Sequence, residues 1–536
     1  MKIQLLFFGM LLTMTQGAWA NGGGDGTSEL TPIVISSVTQ LNQLSLNVRA
    51  ADFDGYEGKY IKLEKDLDFS EVAPFDTDGD GEVDSNFWPI GYSGEENNSP
   101  FRGIFNGGGH TIKGIQIYRP SADYIGLFGQ IEGATIKNLR IEDCTFMGNT
   151  CVGAVVGQSN TRIEDSEPYG AAKGGDPSDD LSKNDVGPSA CYISDCYVAD
   201  DVSVKAASIA GGIFGYAYWT TASNCVSAAS VEAPSAVGGI GGLMDSDAAL
   251  MVKLIDCYYL GSSSLNVYGE QKGGTNFYIS LLDDDSEASV FNDIRLHNYA
   301  GQHVEVKLLG RKLYLDGSWN TLCLPFDYDA FYLEEDGLDI DDIRTLQKAQ
   351  FNESNGELTL EFTPKYSRTP EEWQEGAVES IEAGVPYLVK WKNIDAVIEN
   401  PTFSVDINEA APKTITSNGV SFVGTYGTVQ FPGATPNVLY LGAENKLFYP
   451  KSAMNFNAFR AYFELDETLF GAGSPNNIRE FHLDFGEETG IRQVLTDDRA
   501  AADADSWRTL DGRRLAGKPT AKGIYLKGGK TICITE

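Results

Sequence analysis

The sequence predicts an all-β protein: a stacked β-solenoid, then an antiparallel β-sandwich-like domain and a short β tail. Three observations predict it. A glycine-bracketed apolar run returns four times, as YIGLFG, CVGAVVG, IAGGIFG and AVGGIGG, between Tyr124 and Gly242. Many short strands with period-2 alternation follow residue 288, among them ELTLEFTP, VPYLVKW and FRAYFEL. Composition agrees, since 59 glycines and 11% aromatics suit strands joined by many turns.

The repeat has a measurable period. From closing glycine to closing glycine, Gly129 to Gly157 is 28 residues, Gly215 to Gly242 is 27, and Gly157 to Gly215 is 58. The long interval is one period plus an insertion at about 165 to 190, polar and rich in Gly, Pro and Asp, which reads as an extruded loop. Periods of this size belong to units that bury an apolar face only against a neighbour. After Leu265 the glycine pattern is read as ending.

Each apolar run leads to a second one carrying a cysteine: NLRIEDCTF, YISDCYV, SNCVS and LIDCYYL. Stacked strands about 4.8 Å apart superpose equivalent side chains. Cys144, Cys196, Cys225 and Cys257 are therefore expected to share one inward column, as buried thiols or as disulfide partners.

These units resemble the GLUG-motif family of secreted and surface bacterial proteins, in which a G-G-L-x-G element precedes an I-x-N/D-C/S-Y element. The upstream segments GKYIKLEKDLDFS, WPIG and FRGIFNGGGHTIKGIQI resemble the lead-in of such repeats, so the likeness covers about residues 31 to 265. It implies a right-handed parallel β-helix and an extracytoplasmic, often cell-surface, role. It implies no single activity.

The chain opens with Lys2, an apolar stretch from Ile3 to Met14 and Ala18-Trp19-Ala20, the pattern of a secretory signal peptide cleaved near Ala20. The apolar stretch is too short for a membrane span, and no transmembrane segment is expected elsewhere. Val38, Leu41 and Leu44 follow helical spacing behind a Ser37–Gln40 capping pair, which predicts an N-terminal helical cap over the first coil. The domain plan is thus a signal peptide at 1–20 and a capped solenoid at 21–270. A sandwich-like domain follows at 288–488, then a linker at 489–504 and a β tail at 505–536.

A net charge of −36 argues against nucleic acid as a partner. The acidic stretch DTDGDGEVDSN places Asp76, Asp78, Asp80 and Asp84 at positions 1, 3, 5 and 9 of a calcium loop. Gly81 stands at the turn and the Glu82 carbonyl at position 7. Phe87 stands where a bidentate Glu belongs, so the loop reads as a structural calcium clip of modest affinity or as a solvated acidic turn. His110, in GGGHTI, reads as a turn residue.

The tail, WRTLDGRRLAGKPTAKGIYLKGGKTICITE, is similar to the end of type IX secretion sorting domains, which implies contact with secretion machinery; a small appended hairpin pair is the other reading. Hydrolase, phosphate-loop and zinc-pair motifs are missing. Two functions remain. One is a non-catalytic secreted or surface binding protein, its loops and the aromatics Tyr216, Tyr218 and Trp219 facing an extracellular glycan or protein. The other is a polysaccharide lyase or glycoside hydrolase using a side groove.

Overall fold

A computed structural model describes residues 24–50, 54–76, 83–93, 98–160, 190–245, 252–261, 265–272, 275–283, 289–329, 340–365, 374–408, 410–442, 445–466, 469, 478, 480–486, 491–494, 507–509, 523–527 and 530–534. The expected signal peptide and most of the 165–190 insertion lie outside them. The described residues are all-β apart from two helices, Val38–Val48 and Ser289–Asn298. They divide into two compact units. The first comprises Met1–Leu282, Val290–Leu309 and Asn400–Glu409, and the second Asp283–Ser289, Gly310–Glu399 and Ala410–Glu536.

In the first unit successive strands do not pair with each other. Thr135–Lys137, Arg140–Glu142, Thr145–Gly148, Cys151–Gly153 and Val156–Asn160 each enter a different sheet. After the insertion the chain revisits those five sheets in the same order, beginning at Cys191–Ser194, and every pair so formed is parallel. The largest sheet has ten strands, from Ile33–Ile35 to His303–Leu309 in parallel, with Thr402–Asp406 added antiparallel at the end.

The corners rest on short polar residues. Asn138, Asp195, Asn224 and Asp256 have φ of 54, 53, 51 and 49°, a left-handed conformation that Asn and Asp tolerate better than other side-chain-bearing residues. They stack through the backbone: Asn138 N–H donates to the Ser194 carbonyl, Asp195 N–H to Ser223 and Asn224 N–H to Ile255. The residue after each corner is buried. In register with Arg140, Tyr197, Val226 and Tyr258, these residues are Leu139, Cys196, Cys225 and Cys257.

The expected four-cysteine column is therefore three cysteines and a leucine. Cys144 lies one corner later, behind Asp143 (φ 47°), level with Ile115, Val202 and Ala229. The misreading has a physical cause, because the Asp/Asn-Cys dipeptide makes the same local structure at both corners. Each thiol donates to the carbonyl two residues back: Cys144 to Glu142 at 3.1 Å, Cys196 to Ser194 at 3.2 Å, Cys225 to Ser223 at 3.3 Å and Cys257 to Ile255 at 3.5 Å. Cys144, Cys151, Cys191, Cys196, Cys225, Cys257 and Cys323 are buried and free.

The closing glycines also stack, and here a side chain has no room. A Cβ on Gly215 would lie 2.5 Å from Val152 N and 2.7 Å from Gly157 O, both backbone atoms of the preceding coil. The same holds one coil further on, so the reading that the pattern ends after Leu265 is corrected. Tyr268–Lys272 pairs in parallel with Gly241–Asp245, and a Cβ on Gly269 would meet Gly242 O at 2.7 Å. This fifth copy keeps a single glycine of the motif.

The predicted N-terminal helix is present. Ser37 Oγ accepts from Gln40 N–H at 3.2 Å, and Gln40 Oε1 reaches back one residue further than expected, to Ser36 N–H at 2.7 Å. Its Leu41, Leu44 and Val48 are fully buried, worth about 1.5–3 kcal/mol each.

In the second unit most strand pairs are antiparallel, with one parallel pair between Glu357–Phe362 and Glu480–Asp484. Its core is aliphatic and aromatic, with Phe422 and Phe463 stacked at 4.4 Å. A buried ion pair ties three segments together. Arg344 makes two bonds to Asp342, at 2.7 and 2.8 Å, and donates to the carbonyls of Thr363 and Phe485. Ile491–Val494, read from sequence as part of the linker, is a strand paired antiparallel with Glu480–Asp484. In the tail, Trp507–Thr509, Gly523–Lys527 and Lys530–Ile534 form a three-stranded antiparallel sheet.

Candidate functional site

Tyr216 and Tyr218 lie on Phe214–Tyr218, in the five-stranded parallel sheet. Phe214 and Ala217 of that strand are fully buried, whereas Tyr216 and Tyr218 are half-buried. Parallel register sets Tyr216 between Gln158 and Leu243, and Tyr218 between Asn160 and Asp245. Neighbouring strands are about 4.8 Å apart, so this face carries two adjacent files of side chains on a backbone fixed by ladder bonds. Tyr216 Oη donates to Asp245 Oδ2 at 3.1 Å. Burial, then the Asp245 carboxylate, push the Tyr216 phenol well above its ordinary pKa, so it stays a neutral donor. Trp219 is half-buried with φ 43° at the corner after the strand, and its carbonyl accepts from Cys191 N–H. Sequence reasoning found the aromatics but missed Gln158, Asn160 and Asp245, whose adjacency depends on register between coils, across the insertion for the first two.

Of the proposed calcium ligands, Asp76 and Asp84 are described, while Asp78, Asp80 and Glu82 lie outside the described residues. Both ends of the loop are held. Phe75 N–H donates to the Ser85 carbonyl at 2.8 Å, and Ser85 Oγ donates to Asp84 Oδ1 at 3.2 Å. Asn86 is buried, its side chain donating to the carbonyls of Phe69 and Gly114 and accepting from Gln116 N–H. Phe87 is fully buried, edge-on to Phe69 at 5.3 Å. Position 12 thus anchors the loop in the core and supplies no oxygen. Among the described residues no group of three His, Cys, Asp or Glu side chains is placed to hold a metal.

Two histidines meet carboxylates. His110 Nδ1 lies 3.2 Å from Asp66 Oδ1, which also accepts from Thr111 N–H, a contact that fastens a turn. His303 has Nδ1 2.7 Å from Asp406 Oδ1 and Nε2 3.2 Å from Ser404 Oγ, the connectivity of a Ser–His–Asp relay. All three side chains stand on the open face of the His303–Leu309 and Thr402–Asp406 pair, with His303 68% and Asp406 80% exposed. Water at such a site screens the charges that a relay must concentrate.

No family in the family comparison matches the chain, and no solved structure matches it. Two curated proteins are similar over part of it. Halomucin of Haloquadratum walsbyi is 32% identical over 154 residues, which is 28% of this chain and 2% of halomucin. A Gly-rich membrane protein of Evansella cellulosilytica is 36% identical over 121 residues, 22% of this chain and 12% of that protein. The chain therefore spans only a small fraction of the length of these relatives. Among the described residues no helix is long and apolar enough to cross a membrane.

Proposed function

We propose that the chain is a non-catalytic, extracytoplasmic binding protein whose repeats wind as a right-handed parallel β-helix of the GLUG type. The helix presents the Tyr216–Tyr218 face to an extracellular glycan or protein. The fixed visiting order of the five sheets, the glycine column and the Asn/Asp corners support the winding. The observation that carries the binding role is the pair of half-buried tyrosines side by side on a rigid sheet, bordered by Gln158, Asn160 and Asp245. An immobilised aromatic offers an apolar face at little entropic cost, and the flanking amides and carboxylate suit hydroxyl groups. Similarity to a protein described as a membrane protein supports an envelope location. Calcium on Asp76, Asp78, Asp80, Asp84 and the Glu82 carbonyl would neutralise the loop, and the tail would engage secretion machinery.

The test is incubation of the chain with a panel of polysaccharides, scoring both retention and new reducing ends or unsaturated products. Retention without products, weakened at least tenfold by Tyr216→Ala with Tyr218→Ala, is expected. Product formation abolished by changing one carboxylate would overturn the reading in favour of a lyase or hydrolase.

A further inference from the structure

The outward side chains around Tyr216 and Tyr218 form two files that run across the strands. One holds Gln158, Tyr216, Leu243 and Glu270, the other Asn160, Tyr218, Asp245 and Lys272. Leu243 is buried, whereas the second file is open throughout: Asn160, Tyr218 and Asp245 are half-buried and Lys272 is exposed. Resting on the reading of this face as a binding surface, we propose that its ligand is a neutral, extended polysaccharide. It lies along the second file, across the strands, with one sugar ring to each coil.

Three features point to that ligand and that direction. First, the open face is longer across the strands than along them. The next members of the two files, Gln130 and Glu132, are buried, and Tyr268–Lys272 is the last strand of the sheet, so four coils remain, about 14 Å from first strand to last. Along a strand only two side chains face outward, about 7 Å apart. They stand between the close-packed column of Gly157, Gly215 and Gly242 and the left-handed corner at Trp219, which belongs to neither file. Second, the charges are few and already engaged. Asp245 accepts from the Tyr216 phenol at 3.1 Å, and Glu270 lies 4.0 Å from Lys272, which leaves the two files one negative charge and little for an anionic chain to bind. The Asn160 amide and the Tyr218 hydroxyl both donate and accept, as sugar hydroxyls do. Third, the parallel pairing is in register from coil to coil, so the file is nearly straight and repeats at about 4.8 Å, the order of length of one sugar ring. An extended β-1,4-linked chain can follow it, whereas a coiling α-1,4-linked chain leaves it after a few rings.

The test is the dependence of affinity on ligand length. The full chain is titrated calorimetrically with β-1,4-linked oligomers of glucose, mannose and xylose, from two rings to six, with α-1,4-glucose and galacturonate hexamers as comparisons. In at least one β-1,4 series the affinity is expected to rise about tenfold from two rings to four and to level off beyond four. Glu270→Ala with Lys272→Ala removes the far end of both files without changing the net charge. Both residues are exposed, so the pair should abolish most of that rise while leaving the melting temperature and the affinity for two rings unchanged. Trp219→Asn, which tolerates the left-handed corner, should alter neither. Full affinity at two rings, a rise that survives the Glu270/Lys272 pair or disappears in Trp219→Asn, or equal affinity for either comparison hexamer would each overturn this placement and leave the binding reading standing. Binding of no oligomer at any length would end both.

Discussion

Replacing Gly215 by alanine tests the stacking of the coils directly. The added methyl would sit 2.5 Å from Val152 N, 2.7 Å from Cys151 C and 2.7 Å from Gly157 O. All three are main-chain atoms, so no side chain can rotate out of the way, and relief requires neighbouring coils to part. Parting them lengthens the ladder between Val156–Asn160 and Phe214–Tyr218 on one side and, on the other, the contact with Gly241–Asp245. Overpacking of this kind costs up to about 3 kcal/mol, and the backbone contact places this site at the upper end. For a unit of this size that is a fall in Tm of about 6–12 °C. Gly109→Ala is the control in the same unit. It has φ +78° and nothing within 4 Å of the added carbon, so it carries only the left-handed strain, about 1–2 kcal/mol. Scanning calorimetry gives both shifts, and hydrogen exchange of peptides spanning 151–158 and 214–218 locates the loosening. If Gly215→Ala lowers Tm no more than Gly109→Ala, the close approach of the coils is not what selects glycine, and the stacking argument fails.

Asp342→Ala strands the Arg344 guanidinium in the second unit's core and is expected to cost about 3–5 kcal/mol in urea denaturation, whereas Asp342→Leu with Arg344→Met should recover much of it. Equal losses for the two variants would show that shape, not the buried charge, dominates. Burial pushes the Cys144 thiol up to about 12 and those of Cys151 and Cys191 to about 11, so their thiolate fraction at pH 8 is far below that of a free cysteine. Iodoacetamide with mass mapping should leave these three unlabelled until denaturant is added; labelling of the native chain would contradict their burial. Calcium at about 100 times its Kd should stabilise the chain by about 2.7 kcal/mol, an effect absent in Asp78→Asn/Asp80→Asn. A melting temperature indifferent to calcium would leave 76–84 a solvated turn.

What the sequence disclosed depends on how local each feature is. The first helix was legible because capping and 3.6-residue spacing are written within a dozen positions, and of the three residues so read Leu41 and Leu44 are buried and Val38 is half-buried. The glycine period was legible because a backbone contact tolerates no other residue. The cysteine register was not, because Asp143-Cys144 and Asp195-Cys196 are the same corner chemistry on different walls, and the aligned dipeptide is Asn138-Leu139. That signal was available: the asparagine stands at the corner position, and the inward place takes a leucine as readily as a cysteine. The helix Ser289–Asn298 lay inside the stretch read as the start of the strand-rich, sandwich-like domain. It is tied to the sheet by Asn292, which exchanges bonds with the Leu282 backbone, a constraint that composition does not carry. At the candidate site the tyrosines were visible as residue types, while their polar neighbours became neighbours only through folding.

The coil broken between Asn160 and Cys191 keeps its register on both flanks: Val156–Asn160 pairs with Phe128–Glu132, and Cys191–Ser194 with Thr135–Lys137. Lengthening a connection between two fixed strand ends costs only about 0.6 kcal/mol for each doubling of its length. With both flanks paired on their own, the polar insertion read from the sequence is a natural grafting point. A reporter peptide or small domain spliced near residue 175 should leave the flanking strands undisturbed, making this the position at which to tether, label or immobilise the molecule without touching any file of inward side chains.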